Sequence, residues 1–386
     1  MRASEKFMCM ALDAAREYEG LTSPNPPVGA VIVRGGKVLA MGAHRYAGAM
    51  HAEAEAISKA DKNALKGASL YVTLEPCSSW GRTPPCADAI INAGIKRVVI
   101  GMYDPNKSHY KKSLPLFKKS GIEVLIEDLE GEIQDFYLPY KTSMEQSWPF
   151  VCLKCAQTID GKIAQADGYS KWITSKEARV FAHESLRYRF AGCLIGVNTV
   201  LQDDPRLTIR VGREMKSRRR IPFYRIVLDS NLRMPSHCRL VSTTNKNYPL
   251  IIFVNKTLSK KKEETFLKAV KQKARHISII RISKQGHQGL NLKECLARLY
   301  SDFDIDRLLV EGGSSVFSAF IKEGLSDRIV FFIAPKILGK GVSTFDVEGF
   351  SLKRPYELII KDIMLLNKDV IIDTYVYRNN SRNSQD

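Results

Sequence analysis

The sequence predicts an α/β protein of two domains, and three observations predict it. Its 386 residues are 44% apolar, enough for a sizeable core but long for a single compact unit. Short strand-like runs alternate with helix-like runs through both halves. A polar stretch near Thr142–Ser147 precedes Trp148-Pro149, where a new strand-like run begins, so a boundary is expected near residue 146.

In chain order, residues 3–19 space Met8, Ala11, Leu12 and Ala15 as one face of an amphipathic helix. Val28–Val33 and Lys37–Met41 flank Gly35-Gly36, which reads as a hairpin. Ala52–Ala60 is dominated by Ala and Glu and reads as a helix. Ser69–Leu74 and Lys96–Gly101 suit buried strands, with a helix at Ala87–Ala93 between them. Beyond the boundary, strands are expected at Phe150–Ala156, Gly192–Val197, Tyr224–Leu228, Leu250–Val254, Arg307–Val310, Arg328–Ile333 and Val370–Val376. Helices are expected near Lys176–Arg189 and Ser314–Lys322, around a mixed sheet. No repeat or extended low-complexity tract interrupts the pattern. Arg218–Arg220 and Lys260–Lys262 read as solvated loops, and the segment after Tyr377 as a polar tail, 379–386.

The bulk numbers exclude some classes. No stretch approaches the roughly 20 apolar residues of a membrane span, and Met1 to Lys6 lack a secretory start, so a cytoplasmic protein without a membrane partner is expected. Eight cysteines in a chain of this length do not suggest a disulfide framework. The net charge of +18 favours anionic partners without choosing between a phosphate ester, a dinucleotide and a nucleic acid.

Chemistry concentrates in the first third. His51-Ala52-Glu53 offers an imidazole and a carboxylate at a helix start, Glu75-Pro76-Cys77 ends a strand in a turn, and Thr83-Pro84-Pro85-Cys86 delivers a second thiol at another helix start. One His and two Cys leave the fourth position of a tetrahedral zinc open, the arrangement of catalytic sites. Glu53 is then the proton carrier of a hydrolytic deamination.

This pattern resembles the cytidine-deaminase-like superfamily, whose usual signature is HxE followed by PCxxC, whereas this chain has PCx8C. The long spacing, TSPNPPVGAVIV, the GAH at 42–44, EPCS with GRTPPC, and DPN at 104–106 are similar to the riboflavin-pathway deaminases. The resemblance implies that Asn25, His44, Asp104 and Asn106 line the substrate pocket. Two departures mark its rim. The family usually has CSH where this chain has Cys77-Ser78-Ser79, and a glycine-containing segment where this chain has Lys107-Ser108-His109-Tyr110-Lys111-Lys112. Lys107, Lys111 or Lys112 is expected to supply charge for the ribose phosphate.

The second half resembles the reductase half of the same bifunctional family, a dihydrofolate-reductase-like fold. The matching strings are Leu153-Lys154 through Ala164, Ser170 to Ser175, Gly196 with Asn198 to Val200, Asp203 to Pro205, Leu207-Thr208, Arg210, Asp229-Ser230, Val310 to Gly313 and Ala334 to Lys336. The resemblance assigns NADPH to Cys155, Trp172, Thr199, Asp203, Ser230 and the segment Gly313, Ser314, Ser315, Val316, Phe317, Ser318 and Ala319. It assigns substrate to Ser170, Arg187, Leu207, Arg210 and Glu311. Guanidinium forks suit Arg187 and Arg210 to phosphate, and strand-Gly-Gly-helix at Glu311 to Ser314 suits phosphate at a helix start. Asp203 and Glu311 are the acids available to protonate the opening ribose. Cys152 and Cys155 form a CxxC that reads as strand packing.

The resemblance thus implies a cytidine-deaminase-like three-layer domain at 1–146 and a dihydrofolate-reductase-like domain at 147–378. Together they would deaminate 2,5-diamino-6-ribosylamino-4(3H)-pyrimidinone 5′-phosphate with one zinc per chain, then reduce its ribosyl chain with NADPH. A homo-oligomer is expected. An RNA-editing deaminase would suit the basic charge, but the long Cys77 to Cys86 spacing and a reductase-like second half argue against a nucleic-acid partner. A non-catalytic binding protein with a decayed deaminase half is opposed by the full zinc set with Glu53.

Overall fold

The computed structural model describes residues 3–80, 84–285 and 289–377. The polar tail at 379–386 and Gly81-Arg82-Thr83 of the GRTPPC string lie outside them. The chain divides into two compact units, Met1–Ser147 and Trp148–Asp386.

The first unit runs α1 (Ala3–Arg16), β1 (Gly29–Arg34), β2 (Lys37–Ala43), α2 (Ala52–Lys59), β3 (Ser69–Leu74), α3 (Cys86–Asn92), β4 (Arg97–Met102), α4 (Ser113–Lys119), β5 (Glu123–Ile126) and α5 (Glu132–Gln146). Its sheet has the order β2-β1-β3-β4-β5, antiparallel around β1 and parallel from β3 to β5. Strand alternation splits the core in two. Ala30, Ile32, Leu70, Val72, Val98 and Ile100 face Ala52 and Ala56 of α2, Ala87 and Ile90 of α3, and Phe117 of α4. Val31, Val33, Tyr71 and Val99 face Met8 and Leu12 of α1 and Ile133, Tyr137 and Tyr140 of α5. Helices on both faces make three layers, which is why these strands read as continuous apolar runs.

Gly42 fixes how closely α2 can lie on the sheet. A Cβ there would stand 2.1 Å from the carbonyl oxygen of Ala52 and 2.6 Å from the amide nitrogen of Ala56. The helix that carries Glu53 therefore rests directly on β2. Thr142 to Gln146, the polar stretch before the expected boundary, form the last turn of α5, and the division follows at Ser147. Their polarity is that of the helix's outer face, for Ile133, Phe136, Tyr137, Tyr140 and Ser143 are buried on the inner one.

The second unit contains β6 (Phe150–Thr158), α6 (Lys176–Phe181), β7 (Gly192–Gly196), α7 (Val197–Asp203), β8 (Tyr224–Leu228), β9 (Leu250–Asn255), α8 (Lys260–Val270), β10 (Ile277–Ile282), α9 (Leu292–Phe303), β11 (Arg307–Gly312), α10 (Ser314–Lys322), β12 (Arg328–Ala334), β13 (Leu358–Leu366) and β14 (Asp369–Val376). Nine strands form one mixed sheet in the order β10-β9-β8-β7-β11-β6-β12-β14-β13. The first seven are mutually parallel; β14 and β13 are joined antiparallel at one end. From β6 the chain moves outward through β7 to β10, then returns with β11 between β7 and β6. That reversal opens a crevice at the carboxyl ends of β6, β7 and β11, where open α/β sheets bind ligands.

The helix expected at Lys176–Arg189 is broken. After α6 come one π turn, Ala182–Leu186, and a 3-10 turn, Arg187–Arg189. Changes of pitch of this kind turn side chains away from the α-helical rows, here delivering Arg187 to the interior. Among the described residues, no helix is long and apolar enough to cross a membrane.

Candidate active sites

In the first unit, the connection after β2 brings His51 to the residue just before α2, and Glu53 into the helix's first turn. The end of β3 leads to Cys77, and Cys86 is the first residue of α3. His51 Nδ1 lies 3.5 Å from Cys77 Sγ and 3.3 Å from Cys86 Sγ, and the three donor atoms fall within 4.8 Å of one another. The Cys86 amide also donates to Cys77 Sγ at 3.3 Å. One nitrogen and two sulfurs converging so closely match the donor set of a catalytic zinc with one position open.

Local electrostatics differ sharply between the thiols. The Cys86 thiol bonded to it, with His51 and the Cys86 amide, overcomes burial and draws the Cys77 thiol down to about 4. The same thiol–thiol bond, with burial, pushes Cys86 up. Burial, reinforced by Cys77, raises the Glu53 carboxyl to about 7. Glu53 is only 3% exposed, yet it borders the cavity that the triad faces.

That cavity has a volume of about 610 Å³ and is also lined by Asn25, His44, Asp104 and Asn106. His44 lies edge-on to His51, with ring centroids 5.3 Å apart. Its Nδ1 is 3.1 Å from the Met50 carbonyl oxygen and its Nε2 is 3.1 Å from Asn25 Nδ2. A neutral imidazole protonated at Nδ1 satisfies both contacts, and burial lowers the His44 pKa in the same sense. Asp104, raised by burial, accepts from the Asn106 amide at 2.9 Å and the Tyr140 hydroxyl at 3.2 Å.

Glu75, read from sequence only as a strand end, organises this rim. Its buried carboxylate accepts from the amides of Asp104, Lys111 and Ser113 and from the Ser113 hydroxyl. The three lysines expected to supply charge do not line the cavity. Lys107 and Lys112 point into solvent, and the Lys111 ammonium lies 5.0 Å from the ring centroids of both Tyr103 and Tyr110. Ser79, Trp80, Ser108 and His109 occupy the rim instead.

The crevice of the second unit encloses about 1390 Å³. It gathers Ser170, Trp172, Thr199, Asp203, Glu311, Gly313, Ser314, Ser315, Phe317, Ser318 and Ala319 of the residues the sequence singled out. Gly312 sits at φ 151°, and Gly313 precedes α10, whose first amides lack intrahelical acceptors. Ser170 Oγ donates to Asp203 Oδ1 at 3.2 Å, and the Gly313 amide approaches Thr199 Oγ1 at 3.5 Å. At Gly196 a Cβ would come within 2.8 Å of Val316 Cγ2, so α10 packs tightly against the end of β7.

Other expected residues fall outside the crevice lining. Val316 and Cys155 are buried in the core, Cys155 between Lys154 and Ala156, which do face the crevice. Cys152 and Cys155 project to opposite faces of β6, so their CxxC spacing is that of a strand, and burial pushes the Cys152 thiol up to about 12. Leu207 is buried at φ 47°, the Ser230 carbonyl accepts the Asn255 amide, and Arg210 is exposed. Arg187 is buried against Glu311. Sequence reasoning also passed over Lys154, which faces the crevice from β6 with its pKa lowered by burial. A lone lysine in an apolar strand was the available signal, because a buried ammonium is seldom structural.

Comparisons with known proteins agree with both halves. The family model of the cytidine and deoxycytidylate deaminase zinc-binding region matches residues 1–102, and that of the RibD C-terminal domain matches residues 149–372. Riboflavin biosynthesis protein RibD of Aquifex aeolicus is 42% identical over 368 residues, covering 95% of this chain and 97% of that protein. RibD of Bacillus amyloliquefaciens is 37% identical over 369 residues, covering 95% and 94%. A Thermotoga maritima crystal structure superposes with a TM-score of 0.82 at 34% identity, covering 97% of this chain and 99% of that one. It is named as a diaminohydroxyphosphoribosylaminopyrimidine deaminase/5-amino-6-(5-phosphoribosylamino)uracil reductase.

Proposed function

This chain belongs to the RibD family of riboflavin biosynthesis proteins, and from that premise we propose that unit Met1–Ser147 carries its deaminase and unit Trp148–Asp386 its reductase. The protein is a bifunctional enzyme of riboflavin biosynthesis that uses zinc and NADPH on a phosphorylated pyrimidine. It deaminates 2,5-diamino-6-ribosylamino-4(3H)-pyrimidinone 5′-phosphate and reduces the ribosyl side chain to ribityl.

The observation that carries the deaminase assignment is the convergence of His51, Cys77 and Cys86 beside buried Glu53. The three donors would hold zinc, which when bound supplies Lewis acidity that activates water near neutral pH. Glu53 would carry two protons in turn, one from the attacking water to the ring nitrogen and one from the newly formed hydroxyl to the amino group, which leaves as ammonia while a carbonyl remains. A carboxyl near about 7 is matched to both transfers. Asn25, His44, Asp104 and Asn106 orient the pyrimidine, with the His44 tautomer set by Met50.

In the reductase unit, the amides at the start of α10, with Thr199 and Trp172, would hold NADPH, which supplies the hydride. Asp203 joins them, tied to the substrate side through Ser170. Cys155 contributes backbone rather than thiol, Val316 supports the helix from the core, and Ser230 lies beyond the end of β8. Glu311 meets the substrate from the end of β11 and Lys154 from β6. Arg210 and Leu207, outside the crevice lining, would meet the substrate only at its far end, and Arg187 acts chiefly by fixing Glu311. Incubating the purified protein with the diaminopyrimidine phosphate tests the whole reading. One mass change without NADPH and a second with it are expected; no ammonia release sinks the deaminase half, and no second change sinks the reductase half.

The finer placement is a cytoplasmic homo-oligomer. Supporting it, terminal strand β13 has one unpaired edge and exposes Ile359, Ile360, Ile363 and Leu365, an apolar strip that a second copy would cover. A monomer by sedimentation at micromolar concentration would remove this part.

A further inference from the structure

We propose that Arg179 is a positioning residue of the reductase, clamping the Trp172 indole from one side so that the other side receives a flat ring of the dinucleotide. The inference rests on the reductase reading above, in which Trp172 helps to hold NADPH, and adds the side chain that sets the indole for it.

Left alone, Trp172 would be a costly platform. It lines the crevice and is 65% exposed, and a large side chain with that much open surface loses rotamer freedom when a ligand orders it. The Arg179 guanidinium carbon lies 4.2 Å from the centroid of the Trp172 ring, close enough for the negative face of the ring to hold the cation. Arg179 also lines the crevice, and it stands in α6, the helix that follows directly from the Trp172 loop. Helical side chains lean toward the amino terminus of their helix, so a residue one turn in reaches back over the loop that leads to it.

The cation is anchored in that position. Arg179 Nη1 donates to the Thr174 carbonyl at 2.6 Å, two residues after Trp172. The Ser175 hydroxyl accepts the Ala178 amide at 3.2 Å and so caps the same helix. Other parts of the unit grip the segment by its main chain. Lys336 Nζ donates to the Trp172 carbonyl at 2.7 Å, and buried Asp369, the first residue of β14, accepts the Ser175 amide at 2.7 Å. These bonds fix the main chain of residues 172–175, while the guanidinium fixes the indole itself. A cation on one side of a crevice-lining ring leaves the opposite side for the cofactor, so that guanidinium, indole and ligand form one stack.

The test is calorimetric titration of the full-length protein with NADPH, without pyrimidine. Arg179→Met keeps the length of the side chain and removes its charge, and its Kd for NADPH should rise about five- to tenfold. Arg179→Lys keeps a cation without the planar fork and should raise Kd about two- to fourfold; it carries the same comparison if the Met variant does not fold. In a Trp172→Ala background either change should alter Kd by less than about twofold, because the effect passes through the indole. Near-ultraviolet circular dichroism of the cofactor-free protein reads the ring directly: the signal that Trp172→Ala removes from the parent should already be weakened in Arg179→Met. A parent-like Kd in the Arg179 variants overturns the proposal. So does an equal loss with and without the indole, which would put Arg179 on the cofactor itself or on the fold. If Trp172→Ala leaves the NADPH Kd at the parent value, the reading of Trp172 as a cofactor residue has failed, and this inference with it.

Discussion

Arg187 and Glu311 form a forked ion pair, with Arg187 Nε 2.8 Å and Nη2 2.5 Å from the two carboxylate oxygens. Arg187 Nη1 is used as well, donating to the Thr208 carbonyl at 2.9 Å. Burial alone would push the Glu311 carboxyl up, but the adjacent guanidinium and its hydrogen bonds hold it at about 2. Glu311 is therefore ionised at neutral pH and cannot be the acid that protonates the opening ribose. Arg187, spent on this fork, is not a free clamp for phosphate. Of the two acids left open by sequence, Asp203 is the one whose hydrogen bond to Ser170 places it on the crevice wall without a guanidinium partner.

Replacing Glu311 by Gln should strip a buried guanidinium of its counter-charge and cost about 3–5 kcal/mol of stability. The sign of its pH dependence follows from the depressed carboxyl. The pair's contribution is complete above the ordinary value of roughly 4.3 and is lost as pH falls from there through about 2. Denaturant titrations should show the gap between parent and variant narrowing across that window. A gap that is constant down to about pH 2 would refute the pairing.

Glu53→Gln keeps the shape of the side chain but cannot carry the proton, so ammonia release should fall by roughly 10² to 10⁴ while zinc content stays at one per chain. Cys77→Ala should lose metal and deamination together. Both variants should still oxidise NADPH when given the already deaminated substrate, because the reductase crevice lies wholly within the other unit. Zinc analysis alongside the two assays checks all three statements.

How much of this was legible in sequence depended on what each signal averaged over. Ser69–Leu74, Tyr224–Leu228 and Ser314–Lys322 were read to the residue because local composition and burial agree there. The triad was legible because a metal demands particular side chains in a particular order. The helix α5 was not, since its polar outer face shows in sequence only as a polar stretch before the boundary. Nor was the fate of positive charge at the rim: composition showed lysines at 107, 111 and 112, whereas backbone geometry turned His109 to the cavity. Glu75 was invisible for a related reason. Its donors, three main-chain amides and the Ser113 hydroxyl, lie 29 to 38 residues further along the chain, and such pairings leave no mark in the sequence.

Gly42→Val tests whether the zinc site depends on the seat of α2. The new side chain would enter the space of the Ala52 carbonyl and the Ala56 amide and lift the helix that follows His51. Overpacking of this kind costs about 1–3 kcal/mol or more. The chemical consequence should exceed the loss of stability: a zinc ligand and the proton carrier move together relative to Cys77 and Cys86. Competition with a chelator should show weakened zinc retention, with reductase turnover preserved. Parent-like zinc retention would mean the sheet yields and the helix does not.

His183 should set part of the enzyme's sensitivity to mild acid. Burial, and then the positive charge of Arg187, pull its imidazole down to about 3, so it is neutral in the folded protein at neutral pH. In that state its Nδ1 accepts the Arg210 amide at 3.3 Å. An unfolded chain takes up the proton near 6.5. Between there and about 3 the unfolded state binds more protons, so stability falls as pH falls; above about 6.5 the group is silent. His183→Gln cannot titrate and should lose less stability than the parent when pH is lowered from about 7 to about 4. Every other titratable group is shared by the two proteins, so the difference isolates this imidazole. The thermal midpoint of the variant minus that of the parent should rise toward acid across that range, and parallel curves would show that His183 is not held neutral by its surroundings.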